Sequence, residues 1–458
     1  MEYARSDFAA ALPAAAYAAA LGALSLLALA GKRASTQAPR LLAAAGAAAA
    51  LVLSFTAAGA AGPLLSLDGA ARLWQSLFAA AGLAFLAGRG PLSARSASLL
   101  TGSLAGMSLL ASSRTLPVLF LGLELMSLPV YLLLHGLRPD QRSLEAALKY
   151  FFAGALAAGL FLFGLAAYYA GTGTMALGPS PETSPASTLG VALMASAALF
   201  KLGAFPFMFW LPDAYEAAEP ELAAFMSTAV KAAGALLLMR VLSLGAGVLE
   251  SRVLPLLAVL TMTAGNLLAL RQRDLQRLLA YSSVAHAGYL TAAIWAWRRL
   301  GGSPSAAATV YLYLALYLAM SAGIFLCLKA AGVRRREELA GLGERAPLAA
   351  ALLVVFLLAL AGVPPTGGFL AKFFLLWDLW RAGSPALAAA VAFNSLLGLG
   401  YYVGLVRVLA LDPAPAELRG EGACPRWGLR GAVLACAAAV LASGVMPGLR
   451  AGIEAALR

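Results

Sequence analysis

Apolar segments of about 20 residues follow one another along this chain, and only short polar breaks separate them. A helix of that length is what the hydrocarbon core of a bilayer requires of a spanning segment. Hydrophobic residues make up 62% of the 458 positions, charged residues make up 12%, and the mean hydropathy is +0.83. A soluble protein would show amphipathic periods, and a membrane β-barrel would show apolar/polar alternation over about ten residues. The sequence therefore predicts an all-α polytopic membrane protein.

A sliding hydropathy window of about 19 residues indicates about 14 transmembrane helices. Their predicted cores are 8–30, 42–61, 70–88, 97–112, 115–135, 144–170, 188–210, 222–245, 253–270, 276–297, 306–328, 347–377, 386–411 and 429–447. The first segment lacks a basic leader and a small-residue cleavage site, so we expect it to be retained as a helix. We divide the chain into N-terminal helices 1–3 (1–95), a first repeat of helices 4–8 (96–250), a second repeat of helices 9–13 (251–412) and a C-terminal helix 14 (413–458).

Basic residues are distributed unevenly among the polar breaks. Of the 33 lysines and arginines, 19 lie in alternate breaks beginning with the first or at the span ends beside them, and 10 lie in or beside the other breaks and at the termini. Cytoplasmic loops carry the excess of basic residues in membrane proteins. We therefore expect a multi-pass protein of the cell (inner) membrane with both termini on the outer side. The net charge of +12 then reflects topology and does not indicate nucleic-acid binding.

The four remaining basic residues are lysines inside predicted spans, namely Lys149, Lys201, Lys231 and Lys372. A charge at the bilayer centre costs about 2.5–3.5 kcal/mol on insertion scales, and such residues often mark ion pathways. Lysine can lose its proton when it is desolvated, whereas arginine remains charged. Because the loops use mainly arginine and the spans use lysine, the pattern favours proton transfer over a structural scaffold that moves no ions.

Two predicted spans are interrupted close to one of these lysines. Pro206 breaks the seventh span after Lys201, and 364–368 (PPTGG) breaks the twelfth span before Lys372. The two broken spans are five apart, so they run through the membrane in opposite directions. Paired broken helices are typical of inverted-repeat transporters, whose ion site lies at the break. We therefore predict two inverted five-helix repeats, each with one broken helix.

Glu124 is a carboxylate well inside the fifth predicted span. Opposite a lysine, both partners favour their charged forms. Two interpretations follow for a pair with Lys201. The pair is either a structural link between two helices or a switch whose opening drives the lysine proton onward.

Four further residues are candidates for a proton relay. Lys231 is predicted as a central relay, and Lys372, just past the second break, as a terminal one. His286 would either pass protons between waters or pack as a hydrogen-bonded histidine. Lys149 lies nearer the end of its span and would either join the relay or extend to the membrane surface. Asn394 stands roughly where Lys231 would repeat in the second half.

The acidic segment from Asp213 to Glu221 follows the first break. It would either collect protons from the cytoplasm or form a loop that is solvated or that contacts another subunit. The three cysteines show no metal-ligand spacing and there are only two histidines, so no haem, iron–sulfur or zinc site is predicted, and no metal site among the candidates.

Four segments carry a resemblance to a known family: FKLGAFPFMFWLPDAYE, AFMSTAVK, RQRDLQRLLAYSSVAHAGY and GVPPTGGFLAKF. They resemble the signature segments of subunit N of bacterial NADH:quinone oxidoreductase, respiratory complex I, in a family of antiporter-like proton channels. The similarity extends from about residue 110 to about residue 410, with order and spacing intact.

The resemblance implies a role for each matching position. Glu124 and Lys201 would be the charge pair of the first half-channel, Lys231 the central relay and Lys372 the exit lysine. Lys149 matches the sixth-helix lysine of the same pattern. The chain would be a proton-translocating membrane-arm subunit within a translocase, with other membrane-arm subunits as partners. It would bind no cofactor itself, since NAD, FMN, iron–sulfur clusters and quinone belong to partner subunits.

Three positions depart from the family pattern. Met208 stands where a histidine is common, Val230 replaces a frequent proline, and EAAEPEL (216–222) replaces a proline-threonine-proline loop. Subunits of Mrp-type sodium/proton antiporters and of membrane-bound hydrogenases share the expected fold and remain alternatives. Neighbouring genes would distinguish them.

Overall fold

A computed structural model describes residues 2–29, 37–57, 59–179, 184–245, 247, 249–413, 427–446 and 448–458. Within these ranges the regular structure is helical, and extended pairing is limited to isolated β-bridges. The α-helices are α1 (Glu2–Ala10), α2 (Leu12–Leu29), α3 (Ala38–Thr56), α4 (Gly69–Gly88), α5 (Ala94–Ser112), α6 (Leu116–Gly136), α7 (Gln141–Thr172), α8 (Pro185–Leu202), α9 (Trp210–Ala217), α10 (Pro220–Phe225), α11 (Lys231–Leu242), α12 (Leu254–Ala269), α13 (Leu275–Arg299), α14 (Pro304–Ala331), α15 (Leu342–Arg345), α16 (Pro347–Ala361), α17 (Gly367–Arg381), α18 (Pro385–Leu411), α19 (Trp427–Gly444) and α20 (Leu449–Leu457).

The predicted all-α polytopic membrane fold is confirmed. In the part of the chain that the structure describes, nine helices are long and apolar enough to cross a membrane, and the bent pair α19–α20 would make a tenth. α13 is long enough but carries several charged and polar residues, and α16 has only 15 residues. The number of 14 spans therefore stays a prediction. Lys32, Arg33, Arg419 and Arg426, assigned above to cytoplasmic breaks, and Cys424 lie outside the described residues.

The described helices pack into two units. Unit 1 comprises Met1–Leu202, Ala229–Arg252 and Ala456–Arg458, and unit 2 comprises Gly203–Thr228 and Val253–Ala455. The chain passes from unit 1 to unit 2 directly after Leu202, where α8 ends. The boundaries proposed from the sequence and the inverted relation of the repeats stay predictions.

Each unit contains a close helix crossing that depends on glycine. In unit 1, a Cβ on Gly106 of α5 or on Gly122 of α6 would collide with the backbone of the other helix. In unit 2, Gly265 of α12 and Gly288 of α13 are in the same situation. Small residues allow membrane helices to approach this closely. The two crossings set the positions of α6 and α13, which carry candidate residues.

The surface of α7 is apolar on the side that faces away from the other helices of unit 1. Phe152, Leu156 and Phe163 are exposed, whereas Tyr150 and Phe161 are fully buried. An exposed apolar surface of this kind is covered by lipid in a membrane protein, because lipid tails are as apolar as these side chains.

Candidate functional site

Both predicted helix breaks are present, and each one leaves backbone carbonyls without their usual donors. α8 ends at Leu202 and α16 ends at Ala361. An α-helix would continue by donating from the N–H four residues later, but Pro206 has no N–H to donate to Leu202. Pro364 and Pro365 stand in the same relation to Leu360 and Ala361. Buried carbonyls of this kind need donors from elsewhere.

Two of the predicted lysines supply those donors. Nζ of Lys231 donates to the carbonyl oxygen of Leu202 at 2.9 Å. Nζ of Lys372 donates to the carbonyl oxygens of Leu360 and Ala361 at 3.0 and 2.8 Å. The two lysines are only 1% and 8% exposed. Because the C-terminal end of a helix carries partial negative charge, each break holds an ammonium group in the interior of the protein.

The position of Lys231 follows from the packing of α11 against α8 in unit 1. α11 begins at Lys231, after a π-helical turn over Met226–Val230, a feature frequent at functional sites. A Cβ on Gly234 would collide with the backbone of Lys201 and Leu202. This close approach brings the lysine on the first turn of α11 to the free carbonyl at the end of α8.

Lys201, in the last turn of α8, is held by aromatic residues of unit 1. Its Nζ donates to the hydroxyl of Tyr131 at 2.6 Å, and the side chain is 3% exposed. The rings of Tyr131, Tyr150 and Phe200 have their centroids 4.9, 5.5 and 5.4 Å from Nζ. Such rings attract a cation through their quadrupole. The hydroxyl and the three rings therefore stabilise a charged lysine at this site.

Glu124 shares one face of α6 with Tyr131, because residues seven apart lie two turns along the same side of a helix. Its side chain is half-buried, and it interacts electrostatically with both Lys201 and Tyr131. The structure thus brings the predicted partners Glu124 and Lys201 into one site. The hydrogen bond of the lysine, however, goes to the tyrosine, which sequence reasoning missed. The sequence signal that could have identified Tyr131 is its spacing of seven residues from Glu124, which places both on one face of a helix.

His286 occupies a tyrosine-rich pocket in unit 2. Its Nδ1 lies 2.7 Å from the hydroxyl of Tyr313, and its Nε2 lies 3.5 Å from the hydroxyl of Tyr402. The ring also contacts Tyr289 and Tyr317, with centroid distances of 5.5 and 4.7 Å. The histidine is 2% exposed, and both ring nitrogens face hydroxyl groups that can donate or accept a proton.

Lys372 and His286 both contact the ring of Tyr289. Nζ of Lys372 is 5.5 Å from the ring centroid of Tyr289 and donates to the hydroxyl of Ser395 at 2.9 Å. The hydroxyl of Tyr289 accepts from Asn266 at 3.3 Å. Nδ2 of Asn266 also donates to the backbone oxygen of Asn394 at 2.8 Å. Unit 2 therefore joins the predicted residues Lys372, His286 and Asn394 in one polar cluster.

Lys149 is placed away from these clusters. It lies on α7 with its side chain 50% exposed, and it forms an ion pair of 2.7 Å with Glu145 one turn earlier. The position agrees with a lysine that extends to the membrane surface.

The acidic segment after the first break is folded and paired with cations. Nη1 of Arg277 contacts Asp213 at 2.9 Å and Glu216 at 2.7 Å. Glu221, which is fully buried, accepts from Nζ of Lys329 at 2.5 Å. These residues lie on α9, α10, α13 and α14, so the segment is not the solvated loop that one interpretation expected.

Comparisons with known proteins agree with this architecture. Residues 113–398 match the family model described as NADH:quinone oxidoreductase/Mrp antiporter, transmembrane. The NADH-quinone oxidoreductase subunit N of Granulibacter bethesdensis is 36% identical over 356 residues, which cover 74% of this chain and 72% of that protein.

Two solved structures resemble the fold. A chain of respiratory complex I from Thermus thermophilus superimposes with a TM-score of 0.84 at 32% identity, covering 95% of this chain and 98% of that chain. A chain of the Mrp complex from Dietzia sp. DQ12-45-1b gives a TM-score of 0.84 at 21% identity, covering 98% of this chain and 97% of that one, and shows a shared fold alone. The residues that match the family model include α6, α13 and both helix breaks. On this evidence the chain belongs to the NADH:quinone oxidoreductase/Mrp antiporter transmembrane family.

Proposed function

We propose that this chain is a proton-translocating, N-type subunit of the membrane arm of NADH:quinone oxidoreductase. Relatives that carry the subunit N name support the assignment, because they match across most of both chains. The structural observation that carries the proposal is the pair of buried ammonium groups on proline-freed carbonyls, Lys231 on Leu202 and Lys372 on Leu360 and Ala361.

The chemistry follows from what these partners can and cannot do. A backbone carbonyl accepts a hydrogen bond but does not take the proton, so a lysine held there remains able to pass its proton to water. A carboxylate stabilises the charged form of the lysine beside it. In unit 1, Lys201 donates to Tyr131, and Glu124 on the same helix as Tyr131 would act as the switch of the pair.

Each unit would carry part of one pathway. Lys201 and Lys231 would transfer protons in unit 1, and His286 and Lys372 would transfer them in unit 2. Lys149 would take part only near the membrane surface, because its side chain is half-exposed and paired with Glu145.

The remaining assignments belong to the same proposal. The chain would hold no redox centre, and NAD, FMN, iron–sulfur clusters and quinone would bind to partner subunits. Quinone reduction there would reach this chain through neighbouring membrane-arm subunits. The protein would lie in the cell inner membrane with both termini on the outer side, as the distribution of basic residues predicts.

The test uses the intact complex with Lys201→Met and Lys201→Arg, reconstituted into vesicles. Proton movement per electron is measured beside quinone reduction driven by NADH. We expect both variants to assemble and both to move fewer protons per electron. Arginine keeps the positive charge but cannot release its proton, so the Lys201→Arg result separates proton transfer from charge balance.

Arg240→Lys is the matched control. Arg240 lies on α11 of the same unit and also donates to a backbone carbonyl, that of Ala111 at 2.9 Å. We expect this exchange of one cation for another to leave proton movement unchanged. Unchanged proton movement in both Lys201 variants would instead support a scaffold that conducts no ions.

A further inference from the structure

α14 of unit 2 contacts an ion pair near each of its ends. Lys329, in the last turn, pairs with the buried Glu221. Thr309, near the start, donates at 2.5 Å to Oδ2 of Asp378 on α17, and Asp378 is paired with Arg450 of α20. Thr309 and Lys329 are 20 residues apart, which corresponds to about 30 Å along a helix, close to the thickness of the hydrocarbon core.

The carboxylate of Asp378 is buried but lies next to the surface. Asp378 is 1% exposed, and both of its oxygens accept from Nη2 of Arg450, at 2.8 and 3.1 Å. Arg450 also donates to the backbone oxygen and hydroxyl of Ser305. Nη1 of Arg381, whose side chain is 42% exposed, lies 3.6 Å from Oδ1 of Asp378. A partly exposed side chain therefore lies next to this buried carboxylate.

Hydroxyl groups on α14 connect Asp378 to the histidine cluster. Tyr313, 2.7 Å from Nδ1 of His286, lies one turn after Thr309 on the same side of the helix. Side chains at this spacing have Cβ atoms about 5–6 Å apart, a gap that one water can bridge. The order from the interior outward is His286, Tyr313, Thr309 and Asp378.

Resting on the function proposed above, we infer that Asp378 is the proton-release residue of unit 2, and that Arg450 positions its carboxylate to accept from Thr309. A proton from His286 passes through Tyr313 and Thr309 to Oδ2 of Asp378 and leaves from there to water. Each hydroxyl gives up one proton as it accepts another, so only N–H and O–H bonds form and break. The distribution of basic residues assigns this end of α14 to the outer side.

This inference gives the short helix α20 a function beyond covering the bundle. A buried pair that only joined two helices would not need a chain of hydroxyl groups leading to it. The groups that face Asp378 are Thr309 from α14, Arg450 from α20 and Arg381 from its own helix.

The experiment compares Asp378→Asn with Lys372→Met in the complete complex, reconstituted so that protons are pumped into the vesicle lumen. Protons moved per electron are measured, and assembly is checked on native gels. We expect Asp378→Asn to lose as much proton movement as Lys372→Met, because both variants block the same path. Asp378→Glu is expected to recover most of the proton movement. If Lys372→Met loses nothing, the proposed function is wrong; if only Asp378→Asn loses nothing, the release residue is wrong.

Arg450→Gln and Arg381→Gln form a matched pair, since both arginines contact the same carboxylate. Arg450 contacts both oxygens of Asp378, so without it the carboxylate is no longer fixed opposite Thr309, and we expect several-fold fewer protons moved per electron at unchanged assembly. Arg381→Gln is expected to have little effect, because Arg381 lies 3.6 Å from only one of the two oxygens. Equal losses in the two arginine variants, with no recovery in Asp378→Glu, would show a purely structural pair and overturn the inference.

Discussion

At the scale of single residues, the buried lysines of this protein donate hydrogen bonds to neutral groups. Lys201 has a tyrosine hydroxyl and three aromatic rings, whereas Lys231 and Lys372 have backbone carbonyls. Neutral partners stabilise a cation less firmly than a carboxylate does, since hydrogen bonds between two charged groups are the strong ones. Such lysines can therefore change protonation during a cycle.

Tyr131→Phe tests the partner of Lys201. The exchange removes the hydroxyl but keeps the ring, which packs edge-on against Tyr150 with centroids 4.4 Å apart. A hydrogen bond to a charged group contributes about 1.5–3 kcal/mol. Its loss is expected to lower the population of Lys201 in this position, relative to other positions, roughly tenfold to a hundredfold. We expect fewer protons moved per electron at unchanged assembly, measured in reconstituted vesicles. Tyr150→Phe is the control, because Lys201 contacts the ring of Tyr150, which phenylalanine keeps. An equal loss in both variants would contradict a role for the Tyr131 hydroxyl.

The candidate residues were predictable from the sequence to different degrees. Lys201, Lys231 and Lys372 were recognisable because a charge inside an apolar segment is unusual whatever surrounds it. Tyr131, Tyr313 and Asp378 were not, because tyrosines are common in membrane helices and Asp378 lies near the end of a predicted span. Their importance depends on partners from distant parts of the chain.

At the scale of elements, each broken helix works together with one lysine. The prolines remove the donors for carbonyls at the ends of α8 and α16, and the lysines replace them. The breaks were predictable from their prolines and glycines. Which lysine would serve which break was not: Lys201 is nearest to the first break in the sequence, but Lys231 of α11 fills it.

Pro206→Ala tests the coupling between break and lysine. Alanine supplies an N–H that competes with Lys231 for the carbonyl of Leu202, so the lysine is held less firmly and fewer protons are moved per electron. Pro117→Ala is the control, since Pro117 lies in the first turn of α6, where the missing N–H has no helical acceptor. Proton movement is measured as above. Full activity of Pro206→Ala would show that the free carbonyl is dispensable.

At the scale of the whole molecule, both units contain a glycine-dependent helix crossing and a buried lysine on a helix break. Two interpretations of that duplication differ in their consequences. The units either carry consecutive steps of one proton path or translocate protons independently. Mutations that block consecutive steps are not additive, whereas independent sites add.

The double variant Lys231→Met/Lys372→Met separates these possibilities. We expect it to lose no more proton movement than the more severe single variant, because either one already interrupts a single path. Proton movement per electron is compared among the two single variants and the double variant in the same vesicles. Losses that add in the double variant would indicate two separate paths.

The sequence by itself determined the membrane class, the all-helical fold, the positions of both helix breaks and the lysines inside spans. These features depend on composition and on neighbouring residues, which act locally. Only the tertiary structure decided that Lys231 binds Leu202, that Tyr131 binds Lys201, that Lys149 faces the exterior and that Asp378 meets Arg450. Each of those contacts, or its absence, depends on how separate helices pack, and apolar surfaces that are uniform around a helix do not specify which faces will meet.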